Sequence, residues 1–158
     1  MKNPVDENIE LSRLAAMSAA ELDALYSERR PAAWPAGCAR GRLLAWVPGP
    51  ATRHPLWRPL LAAMFQLSPF GLDYDRRCWF FGLRPLCSAH FDISLGASRW
   101  RPGPCYRLHY DSSSLPQAVR NRLYDEIKPL TPDLGLGLAG LHFKGRPVPV
   151  FYFALQRV

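Results

Sequence analysis

Ser88-Ala-His-Phe-Asp-Ile-Ser-Leu-Gly96 and Cys105-Tyr-Arg-Leu-His-Tyr-Asp-Ser112 alternate in polarity with a period of two. That period belongs to half-buried strands and decides the fold class. In the first stretch Ala89, Phe91, Ile93 and Leu95 share one face, and Ser88, His90, Asp92 and Ser94 share the other. In the second, Tyr106, Leu108 and Tyr110 oppose Arg107, His109 and Asp111. A hairpin whose loop is centred near Arg101, in the turn-forming Arg101-Pro-Gly-Pro104, sets Asp92 opposite His109, His90 opposite Asp111 and Ser94 opposite Arg107.

The same punctuation continues outward. Arg40 to Val47 reads as a strand bounded by Gly37 and Pro48-Gly49-Pro50, and Trp79 to Leu83 reads as another. Leu134 to Phe143 and Val148 to Gln156 form a hairpin through Lys144-Gly-Arg-Pro147. Pro116 to Lys128 is ambiguous, helical over Gln117 to Asn121 and strand-like over Leu123 to Lys128. Ser18-Ala-Ala-Glu21 is a capping box that predicts a short helix over about 19 to 29, ended by Pro31. Leu56, Trp57, Leu60, Leu61, Met64, Phe65 and Leu67 fall at helical spacing, which predicts a short apolar helix. Six or seven short strands divided by Gly and Pro turns predict a mainly β (α+β) chain, folded as an antiparallel barrel or half-barrel. Residues 1–30 read as an N-terminal extension and 31–158 as a single β-barrel domain.

The chain has 158 residues, 48% hydrophobic and 21% charged, which suits one domain with a real core and excludes a multidomain enzyme and wholesale disorder. The net charge of +7 is uneven, because residues 1–30 hold six acids and four bases, leaving +9 for the remainder. Ten arginines and three acids between Pro31 and Arg107 are interleaved with five tryptophans, the residue types that grip phosphates and stack on bases. The bases form no run and no nucleic-acid motif is present, so nucleic acid is not the expected partner. Met1 to Glu10 lacks the basic start and apolar run of a secretory signal, and no apolar stretch approaches the roughly 20 residues that span a bilayer. A cytoplasmic protein is expected. Cys38, Cys78, Cys87 and Cys105 are widely spaced and read as small buried hydrophobes, and no cysteine or histidine pair has a tight metal-binding spacing. The apolar helix must be covered, by the rest of the fold, by a second subunit, or by peripheral contact with a membrane surface.

Gly135-Leu-Gly-Leu-Ala-Gly140 matches the dinucleotide fingerprint only as a string. That motif needs a strand before it, a helix after it and a βαβ unit around it, whereas the residues after Gly140 read as strand, so no dinucleotide or other cofactor is expected. The glycines instead leave room for a bend or a neighbour. Asp125 carries more chemistry. On a strand it shares the apolar face of Leu123 and Ile127, while Tyr124, Glu126 and Lys128 take the other face. A carboxylate so placed is either a paired structural acceptor or an acid of raised pKa.

A Gly-rich first strand (Gly37 to Val47), Leu56-Trp57, Leu108-His-Tyr-Asp111, Asp125-Glu-Ile-Lys-Pro-Leu130 running on to Leu136-Gly137, and Phe153-Ala-Leu155 occur in the order seen in a group of proteins. Over residues 18 to 156 the chain resembles small bacterial single-domain proteins with a lipocalin-like barrel. The resemblance implies a cup-shaped barrel with an interior site and carries no activity. A barrel of this size holds one small ligand, and Phe91, Tyr106, Tyr110, Phe151 and Phe153 suit a hydrophobic or aromatic small molecule. The expected function is binding of such a molecule, with turnover as a cofactor-free isomerase or cyclase. The alternatives are a passive carrier of lipids or small molecules and a basic interaction module. Asp125 and His109 are the catalytic candidates, with Arg107, Tyr110 or Tyr124 binding the substrate's oxygen. If the apolar faces turn inward, Asp125 enters the site and His109 is left outside.

Overall fold

The alternating stretches become one antiparallel sheet of nine strands. In the computed structural model, which describes residues 10–31, 37–49, 52, 59, 63, 69–82 and 86–158, the strands are β1 (Cys38–Trp46), β2 (Phe70–Asp73), β3 (Cys78–Phe81), β4 (Leu86–His90), β5 (Asp92–Ala97), β6 (Pro104–His109), β7 (Leu123–Pro129), β8 (Leu134–Phe143) and β9 (Arg146–Arg157). Their spatial order is β4-β3-β2-β1-β9-β8-β7-β6-β5. Every neighbouring pair is consecutive in sequence except β1 with β9, so nearly all the pairing is local. The β8–β9 turn uses Lys144 and Gly145 at φ of 51° and 77°, the positive values that a tight hairpin requires. The edge strands β4 and β5 are separated in the chain only by Phe91, yet among the described residues no ladder joins them. The fold is mainly β, and the sheet is not closed by strand pairing.

The β5–β6 register is as alternation predicts, with Asp92 opposite His109 and Ser94 opposite Arg107. His90 departs from it. The stretch expected as one strand from Ser88 to Gly96 breaks at Phe91, and its first half turns to the other neighbour, so that His90 pairs with Cys78 rather than with Asp111. The cause is local. The register slips between Cys78 and Trp79, leaving Ala89 as an extra residue at φ of 50°. That conformation is strained for any residue with a Cβ and costs about 1–3 kcal/mol. Strand β2 was not expected from the sequence.

Each face of the sheet has its own apolar cluster. The cavity face gathers Phe70, Leu72, Trp79, Phe91, Leu108, Tyr110, Ile127, Phe151 and Phe153. The opposite, helix face gathers Cys105, Leu136, Leu138, Tyr152 and Ala154 beneath Leu14 of α1 (Leu11–Ala16) and Leu22 and Tyr26 of α2 (Ala19–Glu28). The capping box forms as its spacing predicts, with the Glu21 N–H donating to Ser18 Oγ and the Ser18 N–H donating to Glu21 Oε2. The N-terminal segment is thereby part of the packing, its three large side chains fully buried. A short helix, α3 (Gln117–Arg120), precedes β7, resolving the ambiguous stretch into one helix and one strand. The apolar helix expected over 56–67 lies outside the described residues apart from Pro59 and Ala63, both helical and exposed.

The glycine string lies inside β8, so no helix N-terminus exists for a pyrophosphate. Gly137 faces Phe153 across the β8–β9 pair, and a Cβ there would enter the Phe153 ring. The cysteine reading holds for Cys105, a buried free thiol, and fails for one pair. Cys78 and Cys87 form a disulfide across β3 and β4, with Cα atoms 5.7 Å apart. They sit nine residues apart in sequence, and only the strand pairing brings them together. Among the described residues no helix is long and apolar enough to cross a membrane.

Candidate functional site

A cavity of about 370 Å³ opens on the cavity face, within the range that holds a small organic ligand. Strands β2, β3 and β9 supply five aromatic rings to its wall: Phe70, Trp79, Phe81, Phe151 and Phe153. Leu115 and Val119, beside and within α3, and Leu123, Leu141 and Val150 add aliphatic surface. The polar side chains are few: Ser88, Tyr110 and Asp125. The pleat explains how an acid reaches this wall, because Asp125 alternates with Tyr124 and Glu126 on β7 and points with Ile127 into the apolar cluster.

The polar groups form a relay. Trp79 Nε1 donates to the Tyr110 hydroxyl at 2.6 Å, and that hydroxyl donates in turn to Asp125 Oδ2. Desolvation dominates the electrostatics. Burial pushes the Asp125 carboxyl from 3.8 up to about 7, although hydrogen bonds from Tyr110 and the Gly140 backbone pull the other way. Burial also holds the Tyr110 hydroxyl well above its ordinary range, the Asp125 charge adding to the effect, so Tyr110 stays a donor. The result is a carboxyl divided between its charged and neutral forms near neutral pH, in a wall that is otherwise almost entirely hydrocarbon.

The other face of β7 holds a second buried carboxylate with a different environment. Glu126 accepts from Ser98 Oγ at 2.5 Å, the Arg99 N–H at 2.6 Å, the Tyr124 hydroxyl at 3.0 Å and the Tyr26 hydroxyl at 3.4 Å. Lys128, also fully buried, donates to the Tyr26 carbonyl at 2.5 Å and lies over the Tyr26 ring, 4.3 Å from its centroid. Nearby, Asp23 of α2 accepts from Arg101 Nε at 2.6 Å and from the Tyr152 hydroxyl at 2.5 Å, which ties the helix to the sheet.

The structure separates the site residues expected from sequence into two groups. Asp125, Tyr110, Phe151 and Phe153 share the cavity, and Phe91 stands behind it, edge-on to Tyr110 with centroids 6.4 Å apart. His109, Arg107 and Tyr124 do not reach it. His109 turns to the opposite face, its Nε2 3.0 Å from Ser94 Oγ, and burial reinforced by the Arg107 and Arg99 charges lowers its pKa. Arg107 lies over Gly96, and Tyr124 donates to Glu126, so neither can bind an oxygen of a molecule seated beside Asp125. Tyr106 is half-buried and outside the lining. Among the lining residues that sequence reading missed are Phe70, Trp79, Phe81, Leu115, Val119 and Val150. The i, i+2 pair of rings at Trp79 and Phe81 was a usable signal, whereas Leu115 and Val119 come from a loop and a one-turn helix that no periodicity marks.

No family model matches the sequence, and no curated protein matches it. Among solved structures the chain is similar to a protein from Thermomonospora curvata, 18% identical, covering 89% of this chain and 87% of that one at a TM-score of 0.48.

Proposed function

We propose that the cavity binds a hydrophobic or aromatic small molecule and that Asp125 moves a proton on it, making the protein a cofactor-free isomerase or cyclase. The observation that carries this reading is the Asp125 carboxyl, held near 7 and buried in an apolar wall. A group poised at neutral pH is the efficient general base, and a structural acceptor has no need of that tuning. In the proposed step the charged carboxyl takes a proton from an acidic C–H of the bound molecule and returns it to a second atom, leaving the enzyme unchanged. Tyr110, fixed by Trp79, orients Asp125 and steadies its charge. Aromatic walls exclude water and hold the substrate flat. We further read the sheet as a cup of lipocalin-like shape, since its two edge strands follow one another in the chain and both faces are covered by apolar groups.

The test is a thermal-shift panel of fatty acids and aromatic carbonyl compounds, followed by NMR of the binders in D2O. Some members raise the melting temperature by several degrees, and the protein catalyses deuterium exchange into an acidic C–H of at least one. Asp125→Asn keeps the binding and loses the exchange. A passive carrier binds without exchange in either form, and a panel with no binder at all removes the reading altogether.

A further inference from the structure

Away from the cavity, on the other side of β3 and β4, Cys78 Sγ, Cys87 Sγ and a His90 ring nitrogen lie within 4.8 Å of one another. Regular alternation would not produce this group, because Cys87 and His90 are three residues apart and belong on opposite faces of a strand. The bulge at Ala89 reverses the parity. Ser88 and Ala89 both face the cavity, and Cys87 and His90 are left together on the outer side, where His90 pairs directly with Cys78. A strained non-glycine residue at positive φ thus brings two sulfurs and an imidazole nitrogen together.

We propose that, once its disulfide is reduced, this cluster is a redox-gated site for a zinc ion, held by Cys78, Cys87 and His90. The donor set is the thiolate and imidazole combination that zinc prefers, and three protein ligands leave a fourth position for water or an outside ligand. The spacing of Cys87 and His90 suits it. Tetrahedral zinc at ordinary bond lengths holds its ligands roughly 3.5–3.8 Å apart, and Cys87 Sγ stands 3.9 Å from His90 Nε2. Access exists, since Cys78 and Cys87 both line a second cavity of about 520 Å³, whose wall also includes Cys38, Arg40, Asp73 and Arg76. In the oxidised state the S–S bond occupies both sulfurs and no metal binds. A dithiol reductant breaks that bond with two electrons and two protons, leaving two thiols on the chain and its own disulfide in solution. Zinc then displaces the two thiol protons, and no further electron moves.

The experiment measures zinc uptake against a chromophoric chelator, using anaerobically reduced and oxidised protein freed of reductant. Reduced protein takes up one equivalent and oxidised protein takes up none. Cobalt in place of zinc gives the near-ultraviolet sulfur-to-metal band of thiolate ligation. His90→Ala, a change at an exposed position, weakens uptake by at least about 100-fold, more than losing a residue that merely orients a ligand. Cys38→Ser leaves uptake unchanged. The proposal is overturned if reduced protein binds no zinc, if His90→Ala binds as tightly as the parent, or if oxidised protein binds equally well.

Discussion

Asp125 and Glu126 are neighbours on β7, both buried, and they differ in what meets them. Glu126 points to the helix face, where two tyrosine hydroxyls, a serine hydroxyl and a backbone N–H replace the water it lost. Asp125 points to the cavity face, where the Tyr110 hydroxyl and the Gly140 backbone stand against a wall of rings. Hydrogen bonds to a carboxylate stabilise its charged form, and apolar burial destabilises it. Burial alone therefore does not mark a functional acid. The informative quantity is the shortfall between the hydrogen bonds a buried carboxylate could accept and those it receives.

The largest expected effect breaks the well-partnered side. Glu126→Ala strands the Ser98, Arg99 and Tyr124 donors and the buried Lys128, and should lower stability by about 3–5 kcal/mol in urea denaturation. A loss below about 1 kcal/mol would show that the helix-face network contributes little. The under-partnered side should respond with the opposite sign. The folded-state pKa of Asp125 lies above the value of an exposed aspartate, so the folded protein binds the extra proton between about 4 and 7. Wild-type stability should therefore fall as pH rises across that window. Asp125→Asn should flatten this dependence and be more stable than wild type at pH 8, on the order of 2–4 kcal/mol. A variant no more stable than wild type at pH 8 would mean that Asp125 is a satisfied structural acceptor.

Two smaller changes sharpen the contrast. Gly137→Ala forces the Phe153 ring aside and should cost about 1–3 kcal/mol, while shrinking the cavity and weakening any ligand's thermal shift. Ser18→Ala removes the cap that holds α2 over the helix face and should cost about 1 kcal/mol, without altering ligand binding. If Ser18→Ala weakens binding as much as Gly137→Ala does, the two faces are not independent.

Legibility in the sequence followed the range of the interactions. The β8–β9 hairpin and the Asp92–His109 register are local, set by Gly-containing turns and the period-two pattern, and both were readable. The inward direction of Asp125 was readable too, because Leu123 and Ile127 flank it on one face. The break at Phe91 was not, since it depends on Ala89 adopting a conformation that its own side chain disfavours. Nor was the burial of Glu126 and Lys128, whose covering ring, Tyr26, lies a hundred residues earlier. His109 and Arg107 were attractive as chemical types but stand on the face away from the cavity, and the same alternation that brought Asp125 inward already placed them there. The Cys78–Cys87 pair has no spacing signature, because cross-strand register alone makes it.

The proposed chemistry rests on the ionisation of one carboxyl, and the direct measurement is the pKa of Asp125 itself. Carbon-13 NMR titration of the labelled side-chain carboxyl, assigned by the resonance that disappears in Asp125→Asn, should give a midpoint near 7, about three units above an exposed aspartate. A midpoint near 4 would mean that the cavity wall does not destabilise the charge, and the claim that Asp125 is tuned for proton transfer would fail.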